Sequence, residues 1–219
     1  DVPTNADVRN PRNRIVNPTM AISQENGFGT QVVPLTTNFF ISDQYSTFNT
    51  AASGVALESS YQDLNSGGGA RLTVTTAATD LSAANQCGGV RQIIEKANLH
   101  QLDSGDVAVA FKCLTNWSGK LSLSVSNSAL TKSYVTDIDV VAGTNNVFKV
   151  VPFESDTVGS QPDENGIGLI VAIGDTNEGT LQTLNTDAWQ AGVFVCSDES
   201  TQWTKTINNY VEITNVDLY

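Results

Sequence analysis

The chain has 219 residues, with 23 acidic side chains against 11 basic ones, a formal charge of −12 with its single histidine neutral. Such a surface repels phosphate backbones and anionic lipid, which disfavours nucleic acid as a partner. No apolar run reaches the roughly 18 residues that span a bilayer, and no basic segment leads into an apolar one as in a signal peptide.

The length fits one large β domain able to bury about 70% of its unfolded surface, so no disulfide or metal staple is required. Ser, Thr, Asn, Val and Gly are abundant, a composition that suits strands and turns and is poor for helices. In chain order, residues 1–13 are polar and hold Pro3 and Pro11, which reads as an N-terminal arm. Residues 14–23 read as a first strand, and Gln24-Glu25-Asn26-Gly27 as a turn, because Asn-Gly readily takes positive φ. Residues 31–48 are aromatic-rich and β-prone, broken at Pro34; residues 55–61 and 70–76 are further strands. Residues 90–103 fit a helical face loosely, with Ile93, Ile94, Ala97 and Leu102, and are read as a strand followed by a short helical turn. The clearest alternation lies in 105–115, 119–126, 132–141 and 146–153, which are short, regular and separated by turns, as in a sandwich or barrel. Residues 168–174 are almost wholly apolar and read as a central strand buried on both faces.

The closing stretch changes phase. Val211 and Ile213 share one parity, Val216 and Leu218 the other, so a strict strand would bury only one pair. One extra residue at Thr214-Asn215, a β-bulge, brings both pairs to the same face. The expected pairing partner is the segment 14–22. No linker interrupts 14–219, which reads as one domain behind the arm 1–13.

Few residues suit catalysis. His100 is the only histidine, and no Gly-x-Ser-x-Gly elbow accompanies it. Three cysteines argue against a fully paired disulfide framework. Cys113 and Cys196 alternate with apolar neighbours as core residues do, whereas Cys87, before Gly88-Gly89, is expected at the surface. Glu25, Asp43, Asp63, Glu95 and Glu212 lie near strands, but a glycosidase pair is defined by a separation of about 5 to 9 Å that sequence does not show. Asp137 with Asp139, or Asp163-Glu164-Asn165, carry oxygens suited to Ca²⁺, without EF-hand spacing.

Aromatic side chains are the better binding candidates, because flat rings stack on the C–H faces of sugars. Trp117 sits at a hairpin tip and Trp203 in the polar stretch DESTQWTKT; both are expected to be exposed, and with Tyr134 they form the candidate carbohydrate-binding set. Trp189, ahead of a strand, is read as a core anchor.

The segments NRIVNPTMAISQENG, FFISDQYSTFN, WQAG and NNYVEITNVDLY together resemble a family of tailed-bacteriophage virion proteins, over roughly residues 12 to 219. The pattern is also similar to jelly-roll carbohydrate-binding modules. The resemblance implies an all-β, single jelly-roll sandwich of antiparallel strands, non-enzymatic and sometimes holding a structural Ca²⁺. It also implies a virion protein made in the bacterial host cytoplasm, a homotrimer in contact with other virion proteins, and weak multivalent binding to host-surface glycans. Two alternatives stand beside it: a binding module of a polysaccharide-active enzyme, and a purely structural capsid decoration.

Overall fold

The computed structural model describes residues 15, 24, 29–34, 39–49, 56–62, 69–78, 87–95, 107–127, 129–152, 167–176 and 179–218. The arm 1–13, most of 14–23, His100, Glu25, Asp63 and Asp163-Glu164-Asn165 lie outside them. The described elements are β1 (Gln31–Val33), β2 (Phe39–Ser42), β3 (Tyr45–Asn49), β4 (Ala56–Gln62), β5 (Gly69–Thr76), β6 (Gly88–Glu95), β7 (Val107–Thr115), β8 (Gly119–Asn127) and β9 (Lys132–Val140). They continue with β10 (Gly143–Val151), β11 (Ile167–Asp175), β12 (Gln182–Thr183), β13 (Trp189–Ala191), β14 (Cys196–Ser197), a 3-10 turn (Trp203–Lys205) and β15 (Tyr210–Leu218).

Two antiparallel sheets pack face to face as a jelly-roll sandwich. One has six strands in the order β1-β4-β5-β15-β7-β10, the other seven in the order β13-β9-β8-β11-β6-β3-β2. From β5 onward the chain crosses repeatedly between the sheets. The strands of the two large sheets therefore find one face against the opposite sheet, which the alternating sequence requires, while β12 and β14 pair in parallel apart from them. Ladder rows make this concrete. Val90, Ile173, Leu123 and Thr136 stand side by side across β6, β11, β8 and β9, facing inward. They meet Phe111, Cys113, Leu72, Val211 and Ile213 of the other sheet in one continuous core. β11 lies between β6 and β8, and its residues from Ile170 to Asp175 are buried on both faces, as its apolar sequence predicts.

The bulge expected at the end of the chain is present. β15 runs in register with β7 from Val211 to Thr214, then resumes at Asp217 opposite Ala110, and Asn215 within the slip has φ 51°. Asn tolerates this left-handed conformation better than most side chains. The extra residue turns Val216 and Leu218 back to the face that buries Val211 and Ile213. The described partners of β15 are β5 and β7. Its expected pairing with 14–22 falls outside the described residues, of which only Ile15 is placed, within the core.

On the outer side of the six-stranded sheet, Arg71 of β5 stands in register with Glu212 of β15. Nε and Nη2 of Arg71 donate to Glu212 Oε2 at 2.9 and 2.7 Å, and the guanidinium lies 4.2 Å from the Tyr210 ring centre. Glu212 is buried, so loss of its cation leaves an uncompensated charge. Arg71→Met is expected to lower stability by about 3 kcal/mol, and Arg71→Met with Glu212→Leu to recover most of it. Urea titration of the two variants checks this; equal loss in both would contradict it.

Candidate functional site

The three aromatic candidates do not form a surface. Tyr134 is 4% exposed, Trp117 8% and Trp203 1%, so the expected exposure of both tryptophans is corrected. The reason is local. Thr115 Oγ1 donates to the Trp117 carbonyl, Asn116 bonds Asn208 and Tyr210, and the hairpin tip folds against the start of β15, where Trp117 Nε1 donates to the Tyr210 carbonyl at 3.1 Å. Trp203 enters the core because the turn carrying it is pinned from two sides. The Thr204 N–H and hydroxyl both donate to Asp175 Oδ2, at 3.0 and 2.7 Å, and the Ala78 N–H donates to the Thr204 carbonyl. Tyr134 faces inward against Trp189, ring centres 6.0 Å apart. Trp189 is partly buried on the core, consistent with an anchor. Cys87 is buried as well, contrary to expectation; all three thiols are free.

The carboxylates are dispersed. Asp43 accepts the Gln24 N–H, Glu95 is exposed, Glu212 is held by Arg71, and Asp137 accepts from Ser122 and Ser197. Among the described residues no group of three or more His, Cys, Asp or Glu side chains is placed to hold a metal ion.

A site emerges instead on the outer face of the seven-stranded sheet. Three ladder rows cross it. The first is Phe48, Gly89, Gly174, Ser122 and Asp137; the second is Ser46, Arg91, Ala172, Ser124 and Val135; the third is Ile93, Ile170, Ser126, Ser133 and Gln190. An alternating strand normally turns its polar face to water, and β8 reads that way with Ser122, Ser124 and Ser126. Here the segments 179–183 and 192–201, on either side of the edge strand β13, lie across that face as a strap. The Ser197 N–H donates to Ser122 Oγ, and Ser197 Oγ to Asp137. Ser133 Oγ donates to the Gly192 carbonyl and accepts from the Phe194 N–H. Thr201 bonds both backbone groups of Lys120, whose ammonium pairs with Glu199.

The strap is keyed to the sheet by glycine. A Cβ on Gly174 would overlap Val195 Cγ1, and one on Gly89 would overlap the carbonyl of Ile173. The bare backbone thus forms a notch in the first row. Val195 occupies it beside Phe48, Cys87 and Ala172, and Leu181 packs alongside.

Beyond the notch, over the second and third rows, a cavity of about 190 Å³ remains. Ala172 and Ile170 line the sheet side, Val193 and Phe194 the strap side. Ser124 and Ser126 also line it, 2% and 5% exposed. Neither hydroxyl has a hydrogen-bond partner among the described residues. Neither is among the fully buried unpartnered atoms, so both oxygens keep accessible surface toward the cavity, where water or a ligand can meet them. Arg91 reaches the same space, its guanidinium 5.7 Å from the Phe48 ring centre, and its burial lowers its pKa. Among the described residues no carboxylate lines the cavity. The arrangement offers neutral donors and acceptors, one cation and apolar walls.

No family model matches the chain, and no curated protein sequence matches it. Among solved structures it is similar to a CBM4 module, at 12% identity and TM-score 0.49, covering 93% of this chain and 97% of that one. It is similar to the family 11 carbohydrate-binding module from Clostridium thermocellum, solved with a β-1,3-1,4-mixed-linked tetrasaccharide. There the identity is 8% and the TM-score 0.41, covering 87% and 95% of the two chains. It is also similar to the enzymatically active domain of bacteriophage CBA120 tailspike protein 4, at 10% identity and TM-score 0.41, covering 94% of this chain but 21% of that one. At these identities no residue role passes from them to this chain.

Two outcomes follow for the buried groups. Trp203→Ala is expected to cost about 3 to 5 kcal/mol, as for a fully buried tryptophan. Binding lost in that variant would therefore report unfolding, which its thermal transition will reveal. Burial raises the Asp175 pKa from 3.8 to about 7 despite the opposing bonds from Thr204. The folded state thus keeps a proton that the unfolded chain releases, and stability from this group falls as pH rises from about 4 to about 7. The stability difference between wild type and Asp175→Asn should change across that window; a constant difference would contradict the assignment.

Proposed function

We propose that this domain binds glycans without catalysing their cleavage, and that the cavity under the strap is where it does so. The observation that carries this reading is a cavity of about 190 Å³ whose lining sets the hydroxyls of Ser124 and Ser126, with Asn49 and Arg91, among apolar side chains. Sugars are amphipathic, with C–H surfaces that need apolar cover and hydroxyls that need neutral partners, and the cavity supplies both. The domain's charge of −12 adds repulsion toward polyanions such as nucleic acid. A chamber this small yields weak single-site affinity, so useful attachment needs many copies acting together.

The narrower role, attachment of a tailed-phage particle to host-surface glycans as a fibre, spike or capsid-decorating subunit, rests on the sequence resemblance. A module serving a polysaccharide-active enzyme uses the same site equally well. The homotrimer is part of the phage reading; Trp117 and Trp203 are buried and offer it no surface, and exposed apolar side chains lie elsewhere, including Phe148 and Val150 on β10.

The test is a glycan array probed with protein displayed in many copies, beside Ala172→Phe, which fills the cavity from its sheet side. Binding by wild type and its loss in a folded Ala172→Phe support the reading. Binding unchanged in the variant places the site elsewhere, and no binding to any glycan removes the function.

A further inference from the structure

Resting on the glycan reading, we infer that the cavity takes one terminal sugar residue, entering end-on, and that the preferred residue carries a methyl-bearing substituent such as an N-acetyl group or a 6-deoxy carbon.

Size is the first reason. Ligand sites commonly enclose about 300 to 1,000 Å³. This one measures about 190 Å³, below that range. One pyranose ring fits that space and two do not. Shape is the second reason. At the first ladder row Val195 fills the Gly89–Gly174 notch beside Phe48, which closes that end with side chains that are both buried. At the opposite end the lining includes Leu130, on the β8–β9 turn and 44% exposed. A chamber closed at one end admits the tip of a chain. The interior of a polysaccharide needs a passage open at both ends.

Chemistry selects the residue. Ser124 and Ser126 are two positions apart on one face of β8, so their Cα atoms stand roughly 6.7 Å apart. Two hydroxyls at that spacing can address substituents on opposite sides of one ring. Arg91 and Asn49 add polar groups toward the closed end. Most of the remaining wall is aliphatic or phenyl, contributed by Ala172, Ile170, Val193 and Val195 among others, with the Cys87 thiol beside them. A fully hydroxylated hexose would press some hydroxyls against that wall, where an unmade hydrogen bond is costly. A methyl group in the same place gains apolar cover instead. Because Val193 and Phe194 of the strap form one wall, the bonds that hold the strap, among them Ser133 to Gly192 and Phe194 and Ser197 to Asp137, are a condition of binding.

The experiment uses isothermal titration of the 219-residue protein. The probes are methyl glycosides of N-acetylglucosamine, fucose, glucose and galactose, and N-acetylglucosamine oligomers of two, three and six units. The oligomers are used with free and with 4-O-methylated non-reducing ends. Expected results are binding of the N-acetylglucosamine or fucose glycoside in preference to glucose and galactose, and no gain in affinity with chain length. For a ligand among the oligomers, end-blocking should abolish binding. Ser124→Ala with Ser126→Ala should weaken binding about tenfold, two hydrogen bonds being lost, with an unchanged thermal transition. Affinity that climbs with length, indifference to end-blocking, or preference for glucose or galactose overturns the inference while leaving glycan binding intact. Silence of every probe here, with a positive glycan array, also overturns it. Silence of both sets removes the glycan reading itself.

Discussion

The six-stranded sheet depends on its last strand. β15 stands at the middle of that sheet, between β5 and β7, so the two halves of the sheet join only through the final nine described residues. The buried Arg71–Glu212 pair fastens one of those joints across a separation of 141 residues. Long-range pairing of this kind delays stable structure, because loop closure must be met before the contacts that reward it. The same strand carries the bulge, and without it either Val211 and Ile213 or Val216 and Leu218 would face water. Register, core composition and sheet continuity thus converge on one short segment.

The second sheet solves a different problem. Its outer face is polar on β8 and, in the first ladder row, bare on β6 and β11, where Gly89 and Gly174 carry no side chain. A strap can lie close against such a face, since no side chain holds it off. Hydroxyl and carboxylate groups then find strap partners instead of water: Ser122 and Asp137 bond Ser197, and Ser133 bonds the backbone at Gly192 and Phe194. Where the strap lifts away from the notch the partners run out, and Ser124 and Ser126 are left facing a chamber. The cavity is thus a by-product of how closely the strap can approach, and its small size follows from that closeness.

Much of the fold was legible because strand burial writes a period of two into the sequence. The alternation of β7, β8 and β9, the continuous apolar run of β11 and the phase change at Thr214-Asn215 each correspond to an observed feature. The site was not legible for the same reason. Period two tells which residues share a face, but a serine face looks alike whether water or a strap covers it. Trp117 and Trp203 were misjudged because both sit among polar neighbours. Those neighbours, Asn116 and Thr204, proved to be the groups that tether the turns and carry the rings inward. The interleaving of Ser122, Ser124 and Ser126 with Leu121, Leu123 and Val125 was the available signal, and what it lacked was any mark of what lies above.

The placement of the three thiols has an experimental consequence. Cys113 is in the main core on β7, whereas Cys87 belongs to the small cluster around Val195 and Cys196 lies in the strap itself. Cys113 and Cys196 are almost wholly buried in the folded state, so their alkylation proceeds only through opening events. Cys196 becomes reachable when the strap alone lifts, and Cys113 when the sandwich parts. The chain thereby carries its own pair of clocks, one for the motion that uncovers the cavity and one for the loss of the whole fold, readable by mass without any added label.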